Sequence, residues 1–457
     1  MIGKKINGFI SVTDSEYSFC LDENKLYGNL LNEKKGIKFS SHGSKQIPFI
    51  KARHSAGGTI AFYNFSYSKD YFSNSLFAKS YGVFISRLIN RDIDGYDVMS
   101  FKGKAINNFY PPALSVEGIG SFEYPSDDGS KTIKIKPFLE KSDEIEAIIY
   151  EKKVKIKLSV CTPGSIGIDS TNLGEIYTSF RIIFQEKMPL EDLMKWVFAV
   201  KKTFAFLYFR NDIAFEEIEL WENTDRGLDR IGNLFLYEKF ENDIPKSSSK
   251  CVKFLGIKEH FSNLFAILLD EKLNLLCLPT DKQDSWIVSP EKYVFTCASF
   301  ENVFDKRYPN FINDDQDFLI VKNSLMSFLS QEDETYKGIN SKARKWIRKI
   351  KGTIERESTN LDHKFNKCFN DYKVLLSEFI ININRRYNTI LNDDLDLGGN
   401  FSSVRNHNAH GSKTEYNKES IIAFEFGRVM IYIMVLKEAE FSDVEIKNII
   451  SILFIGL

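Results

Sequence analysis

The sequence predicts an α+β multidomain protein, a β-rich amino-terminal half carrying a few helices followed by an all-α helical bundle. Three observations carry that prediction. The chain has 457 residues, too many for one ordinary hydrophobic core. Up to about residue 185, apolar residues alternate with period two in short runs broken by Gly, Asn, Asp and Ser. From about residue 316 onward the period is three and four.

Taken in chain order, Thr132-Ile133-Lys134-Ile135-Lys136 and Val154-Lys155-Ile156-Lys157-Leu158 read as half-buried strands, and a sandwich is the expected arrangement of the first 185 residues. Behind Pro189, the residues Leu190, Leu193, Val197, Val200, Phe204 and Leu207 predict one long helix. Strands are expected at Ile218–Trp221 and Leu234–Tyr237, then a polar break at Lys246–Lys250 and a helix from about His260 to Leu276. Lys342–Arg356 forms a further helix with Ile347, Ile350 and Ile354 on its apolar side. The spacing of Phe365, Phe369, Tyr372, Leu376, Phe379, Ile383, Tyr387 and Ile390 predicts a single long helix. Ile421–Leu436 is apolar nearly all round and should be central to the bundle, with Val444–Phe454 as the last helix. The expected domains are 1–185, β-rich and regulatory; 186–315, mixed helix and strand; and 316–457, the bundle.

The composition is 43% hydrophobic and 27% charged, which is globular, and 39 Phe with 20 Tyr predict large buried aromatic clusters. Lys plus Arg is 61 against 62 Asp plus Glu, so a nucleic-acid site has to be a local basic patch rather than a whole-protein field. Six scattered cysteines without a C-x-x-C pair argue against a zinc ribbon or a disulfide framework and read as reduced thiols. No signal-peptide core or span of about 20 apolar residues is present, so a cytoplasmic, membrane-free protein is expected.

The chemistry-bearing segment is Arg405-Asn406-His407-Asn408-Ala409-His410, between the long helix ending near Ile390 and the buried helix starting near Asn417. An interhelix loop or a first turn, or else reach from the long Arg405 side chain, is expected there, because Arg405 and His410, five apart, do not share one face of a regular helix. Metal-free RNA cleavage needs a base for the 2′-hydroxyl, an acid for the 5′-oxygen and positive charge at the phosphorane. Histidine serves either proton role. Arginine, planar and always charged, suits the phosphoryl oxygens. Asn406 is a candidate to orient the histidine or bind phosphate, and His407 a candidate substrate contact.

An Arg followed by a polar residue and, at the fifth position, a His, just before a buried helix, looks like the R-x4-6-H motif of HEPN ribonucleases. Across the whole chain, with Gly8-Phe9 and Gly28-Asn29-Leu30 in the front half, the sequence resembles the ApeA-like anti-phage proteins. The resemblance implies a HEPN-type domain, a homodimer that brings two motifs into one cleft, or a higher homo-oligomer through the helical domain, no metal and no cofactor, and an abortive-infection role restrained by the amino-terminal half and released by a phage-derived trigger. Transfer RNA is the favoured substrate, because unpaired loops offer splayed bases and a free 2′-hydroxyl.

Lys342, Arg344, Lys345, Arg348 and Lys349 form a basic surface suited to RNA phosphates, with Arg385 and Arg386 as secondary candidates. Asp393–Gly398 lacks the ligand spacing of a calcium loop, and Cys161–Gly167 lacks the Gly-Lys-Ser/Thr of a P-loop. The competing reading is a non-catalytic helical module that dimerises or binds a nucleotide or partner.

Overall fold

The computed structural model describes residues 5–13, 15–33, 44–70, 75–88, 90–115, 141–161, 176–238, 251–270, 272–311, 316–357, 360–391, 396–409 and 416–455. The chain divides into two compact units, Met1–Leu269 and Asp270–Leu457. The division falls ahead of the expected boundary near 316.

The first unit is built on strands β1 (Ile6–Val12), β2 (Ser15–Asp22), β3 (Lys25–Glu33), β4 (Lys45–His54), β5 (Thr59–Asp70), β6 (Ser75–Lys79), β7 (Gly82–Ser86), β8 (Gly95–Lys102), β9 (Ser142–Ile149), β10 (Lys152–Cys161), β11 (Tyr177–Pro189), β12 (Glu217–Thr224) and β13 (Gly227–Leu236). They form one sheet rather than the expected sandwich, in the order β4-β1-β2-β3-β6-β5-β7-β13-β12-β8-β11-β10-β9. The added pairing of β4 with β5 closes the first six into an antiparallel barrel. The period-two alternation is common to both architectures, since either buries one face of each strand. What separates them is the 12-residue β5, long enough to pair with β4 along one edge and with β7 and then β6 along the other. Ile10, Phe19, Leu21, Leu26, Phe62, Phe65 and Leu76 fill the barrel interior. Gly8 and Phe9 lie on β1, Gly28, Asn29 and Leu30 on β3.

Beyond the barrel, the sheet is accompanied by helices α1 (Lys104–Phe109), α2 (Leu193–Tyr208) and α3 (Phe261–Leu268). The aromatic excess settles here: Phe109, Phe180, Phe204, Phe254, Phe261 and Phe265 form one cluster of mostly edge-to-face rings with centroids 5.3–6.5 Å apart. The helix expected over 260–276 stops at Leu268. The strand expected at Thr132–Lys136 lies outside the described residues, as does most of Cys161–Gly167.

The second unit is helical: α4 (Pro290–Arg307), α5 (Gln316–Thr335), α6 (Ser341–Glu357), α7 (Leu361–Asp371), α8 (Ser377–Tyr387), α9 (Leu397–Ala409), α10 (Lys418–Glu438) and α11 (Asp443–Ile450), closed by a π-helical turn at Ser451–Ile455. α10 is buried all round from Phe426 to Leu436, as its sequence requires, and α4, α7 and α9 pack around it. None of the described helices is long and apolar enough to cross a membrane.

The helix expected from Phe365 to Ile390 is two helices. A turn over 372–376 separates α7 from α8 and exposes Val374 while Tyr372, Leu375 and Leu376 remain buried. Because the buried residues stay on one side of the turn, the three/four spacing runs through the break unchanged.

Candidate functional site

The described part of the motif, Arg405–Ala409, sits in neither a loop nor a first turn. It forms the last turns of α9, a helix that occupies sequence expected to be irregular. Gly398, Gly399, Asn400, Ser402, Ser403, Asn406 and Asn408 all have weak helix propensity, so the helix is held from outside. Asp396 opens it by accepting the Gly399 N–H at 2.8 Å. Phe401 then anchors it, fully buried against the rings of Tyr293, Phe300 and Phe365 at 4.9–5.8 Å. Two glycines permit the approach: a Cβ at Gly398 would lie 2.7 Å from the Asp362 carbonyl oxygen, and one at Gly427 of α10 would lie 2.8 Å from the Phe401 ring.

Thus positioned, Arg405 is only partly engaged. Its side chain is 41% exposed, its guanidinium lies 3.7 Å from the Glu301 carboxylate of α4, and it donates to the Asn406 side-chain oxygen at 3.1 Å. Asn406 and His407 are exposed. His407 Nδ1 lies 2.7 Å from the Ser403 carbonyl oxygen, which only accepts, so Nδ1 is the donor in that bond. Asn408 donates to the Tyr416 hydroxyl at 3.1 Å, while its own side-chain oxygen is buried without a hydrogen-bond partner among the described residues. His410, the proposed proton-transfer residue, lies outside the described residues.

The neighbours of the motif come from α4 at four-residue spacing: Tyr293, Cys297 and Glu301. Tyr293 stacks on Tyr416 at 6.0 Å and donates to the Ser420 carbonyl at 3.1 Å, fixing the start of α10 beside the end of α9. Burial pushes the Cys297 thiol up, with Glu301 adding to the shift and Arg405 opposing it. Burial likewise raises the Tyr416 hydroxyl, against the bond from Asn408. These residues were missed in the sequence because α4 lies more than 90 residues before the motif; the Ser289-Pro290-Glu291 helix start was the available signal for α4 itself, with the Ser289 hydroxyl accepting the Lys292 N–H.

The other candidates divide. Arg386 is committed, donating to Glu425 at 2.7 Å and to the Asn382 side chain at 2.8 Å, whereas Arg385 is exposed. On α6, Arg344 and Arg348 both pair with Asp333 of α5 at 3.0 and 3.2 Å, and the Arg344 bond above all holds that carboxyl below its usual range. Lys349 lies 4.9 Å over the Trp346 ring, and Lys342 and Lys345 are exposed. Part of the expected basic surface is therefore spent joining α5 to α6. All six cysteines are free thiols, and no group of three or more His, Cys, Asp or Glu is placed to hold a metal among the described residues.

No protein-family model matches this chain, and no curated protein or solved structure matches it.

Proposed function

We propose that the chain is a metal-independent endoribonuclease whose active site is the Arg405–His410 segment at the junction of α9 and α10. The observation that carries the reading is the Arg405 guanidinium, borne on a helix anchored by Phe401 and making one long ion pair and one hydrogen bond to its neighbour among the described residues. A guanidinium has five N–H donors, so most of its capacity is left for an oxyanion. In this mechanism Arg405 binds the non-bridging phosphoryl oxygens, where charge accumulates in the phosphorane. His410 removes the 2′-hydroxyl proton or protonates the 5′-oxygen leaving group, and Asn406 positions it.

One motif histidine per chain supplies one of those two proton-transfer groups. The second comes from a second copy in a symmetric dimer, with the two α9 ends turned to one cleft. His407, exposed on the same end of α9, contacts the substrate beside it. The products are a 2′,3′-cyclic phosphate and a 5′-hydroxyl, and the favoured substrate is a transfer-RNA anticodon loop. Resemblance to ApeA-like proteins supplies the setting, an anti-phage response in which the first unit restrains the nuclease until a phage-derived trigger arrives.

The test is end analysis of RNA from cells producing the wild type or His410→Ala, with and without phage challenge. Cyclic-phosphate ends with the wild type alone are expected. Equal cleavage by both, or none with a wild type exposed to its trigger, overturns the reading in favour of a non-catalytic helical module.

A further inference from the structure

A second group of side chains, on the outer face of the barrel, is not explained by packing. In the sheet β6 lies between β3 and β5. Across one of its edges Tyr27 stands opposite Phe77 and Lys25 opposite Lys79; across the other, Ser68 stands opposite Phe77 and Ser66 opposite Lys79. Alternate residues of a strand share a face, so these six project outward while Leu26, Ala78 and Tyr67 between them enter the barrel core.

Tyr27 and Phe77 are 49% and 45% exposed, and their rings meet edge to face at 5.9 Å. Lys25 and Lys79 are like charges placed directly across a ladder, an unfavourable arrangement in the free protein. Neither makes an ion pair among the described residues. The same residues, with Ser44, line a groove of about 450 Å³.

We infer that this groove binds single-stranded nucleic acid. Bases stack on the free surfaces of Tyr27 and Phe77, phosphates pair with Lys25 and Lys79, and the Ser66 and Ser68 hydroxyls hydrogen-bond along the strand. An acidic peptide would engage the two lysines but leave the exposed rings unexplained. An apolar partner would bury two unpaired ammonium groups. A polyanion carrying a flat ring on each repeat answers both features. The site belongs to the first unit and stands independently of the ribonuclease reading.

The experiment is fluorescence anisotropy of the full chain with labelled 12-nucleotide oligodeoxythymidine and 2′-O-methyl oligouridine. Neither has a free 2′-hydroxyl, so the proposed chemistry cannot cut either one, and together they show whether the groove prefers the DNA-type or RNA-type backbone. Replacing both rings, Tyr27→Ala with Phe77→Ala, is expected to weaken binding about 30-fold or more. Lys25→Ala with Lys79→Ala should weaken it and reduce the log–log salt slope by about 1.4. Tyr27→Phe keeps the stacking surface and the fold, and is expected to stay within about twofold of the wild type. A double ring variant that melts earlier yet binds unchanged would show that the pair serves cross-strand packing only, and would overturn the proposal. So would equal affinity for a duplex of the same length, no binding by the wild type, or a lysine variant with an unchanged salt slope.

Discussion

Arg386 and Arg405 occupy matching places, the last turns of two consecutive helices in one unit, and their surroundings differ in kind. Arg386 holds Glu425 and Asn382 at hydrogen-bond distance, lies 5.8 Å over the Trp286 ring, and shares Glu425 with the Tyr387 hydroxyl. Among the described residues, Arg405 has one carboxylate partner, Glu301, at 3.7 Å. Both charges complement a helix C-terminus, so the dipole alone does not separate them. What separates them is how many donors each has already used. The α6 arginines fall on the Arg386 side of this line, since Arg344 and Arg348 share Asp333.

The largest expected effects come from testing that difference in catalysis. His410→Ala should lower RNA cleavage about 10²–10⁴-fold, the usual worth of a proton-transfer group. Arg405→Ala should cost about 10²–10³-fold, comparable with loss of one oxyanion donor. Arg386→Ala should leave the rate per folded molecule unchanged. Rates are compared at equal folded concentration by single-turnover cleavage of a labelled transfer RNA. If Arg386→Ala lowers the rate as far as Arg405→Ala, the comparison is broken and the two arginines form one phosphate-binding surface.

Next in size is the packing that holds α9. Phe401→Ala should destabilise the second unit by about 3–5 kcal/mol, because the ring is fully buried among three others. Gly427→Ala, which drives a methyl group into that ring, should cost about 1–3 kcal/mol. Urea unfolding reads both. A smaller loss for Phe401→Ala would mean that α9 is not fixed by this anchor, and with it the account of how Arg405 is positioned.

Phe401 also marks the limit of what the sequence discloses. α10 was legible because its residues are apolar in every direction, and α6 because its apolar side keeps a strict spacing. α9 was not, since its glycines, serines and asparagines favour no helix and its one decisive residue acts through Tyr293, Phe300 and Phe365, two of the three contributed by α4. Likewise the alternation in β1 to β6 disclosed strands but not their closure into a barrel, because a strand's own pattern does not name its partner. Within the site, Arg405, Asn406 and His407 were readable as residue types. Glu301, Tyr416 and the buried Asn408 oxygen were not, because each matters through a distance rather than a spacing.

A mid-sized effect sharpens the comparison from the other side. Removing the Arg386 side chain strips Glu425, a mostly buried carboxylate, of its charged donor. Hydrogen bonds to charged groups contribute about 1.5–3 kcal/mol, so Arg386→Ala should destabilise the unit by that amount. Arg405→Ala should cost less than about 1 kcal/mol, as exposed pairs do. Thermal or urea unfolding in which the two variants lose equal stability would place Arg405 among the structural residues.

The smallest effect concerns Glu301, the carboxylate paired with Arg405. Glu301→Gln keeps the shape of α4 and removes the negative charge 3.7 Å from the guanidinium. Stability should change by less than about 1 kcal/mol, because the pair is long and partly exposed. Binding of an uncleavable RNA should tighten about two- to fivefold, since a charge at that distance in a wet site weighs about 1 kcal/mol against an incoming phosphate. The gain should shrink as salt rises, because the removed repulsion is screened within a Debye length of about 10 Å at 0.1 M. Weaker binding on Glu301→Gln would mean that Glu301 orients Arg405 for the phosphate rather than competing with it, and would move that carboxylate from the surroundings of the site into its machinery.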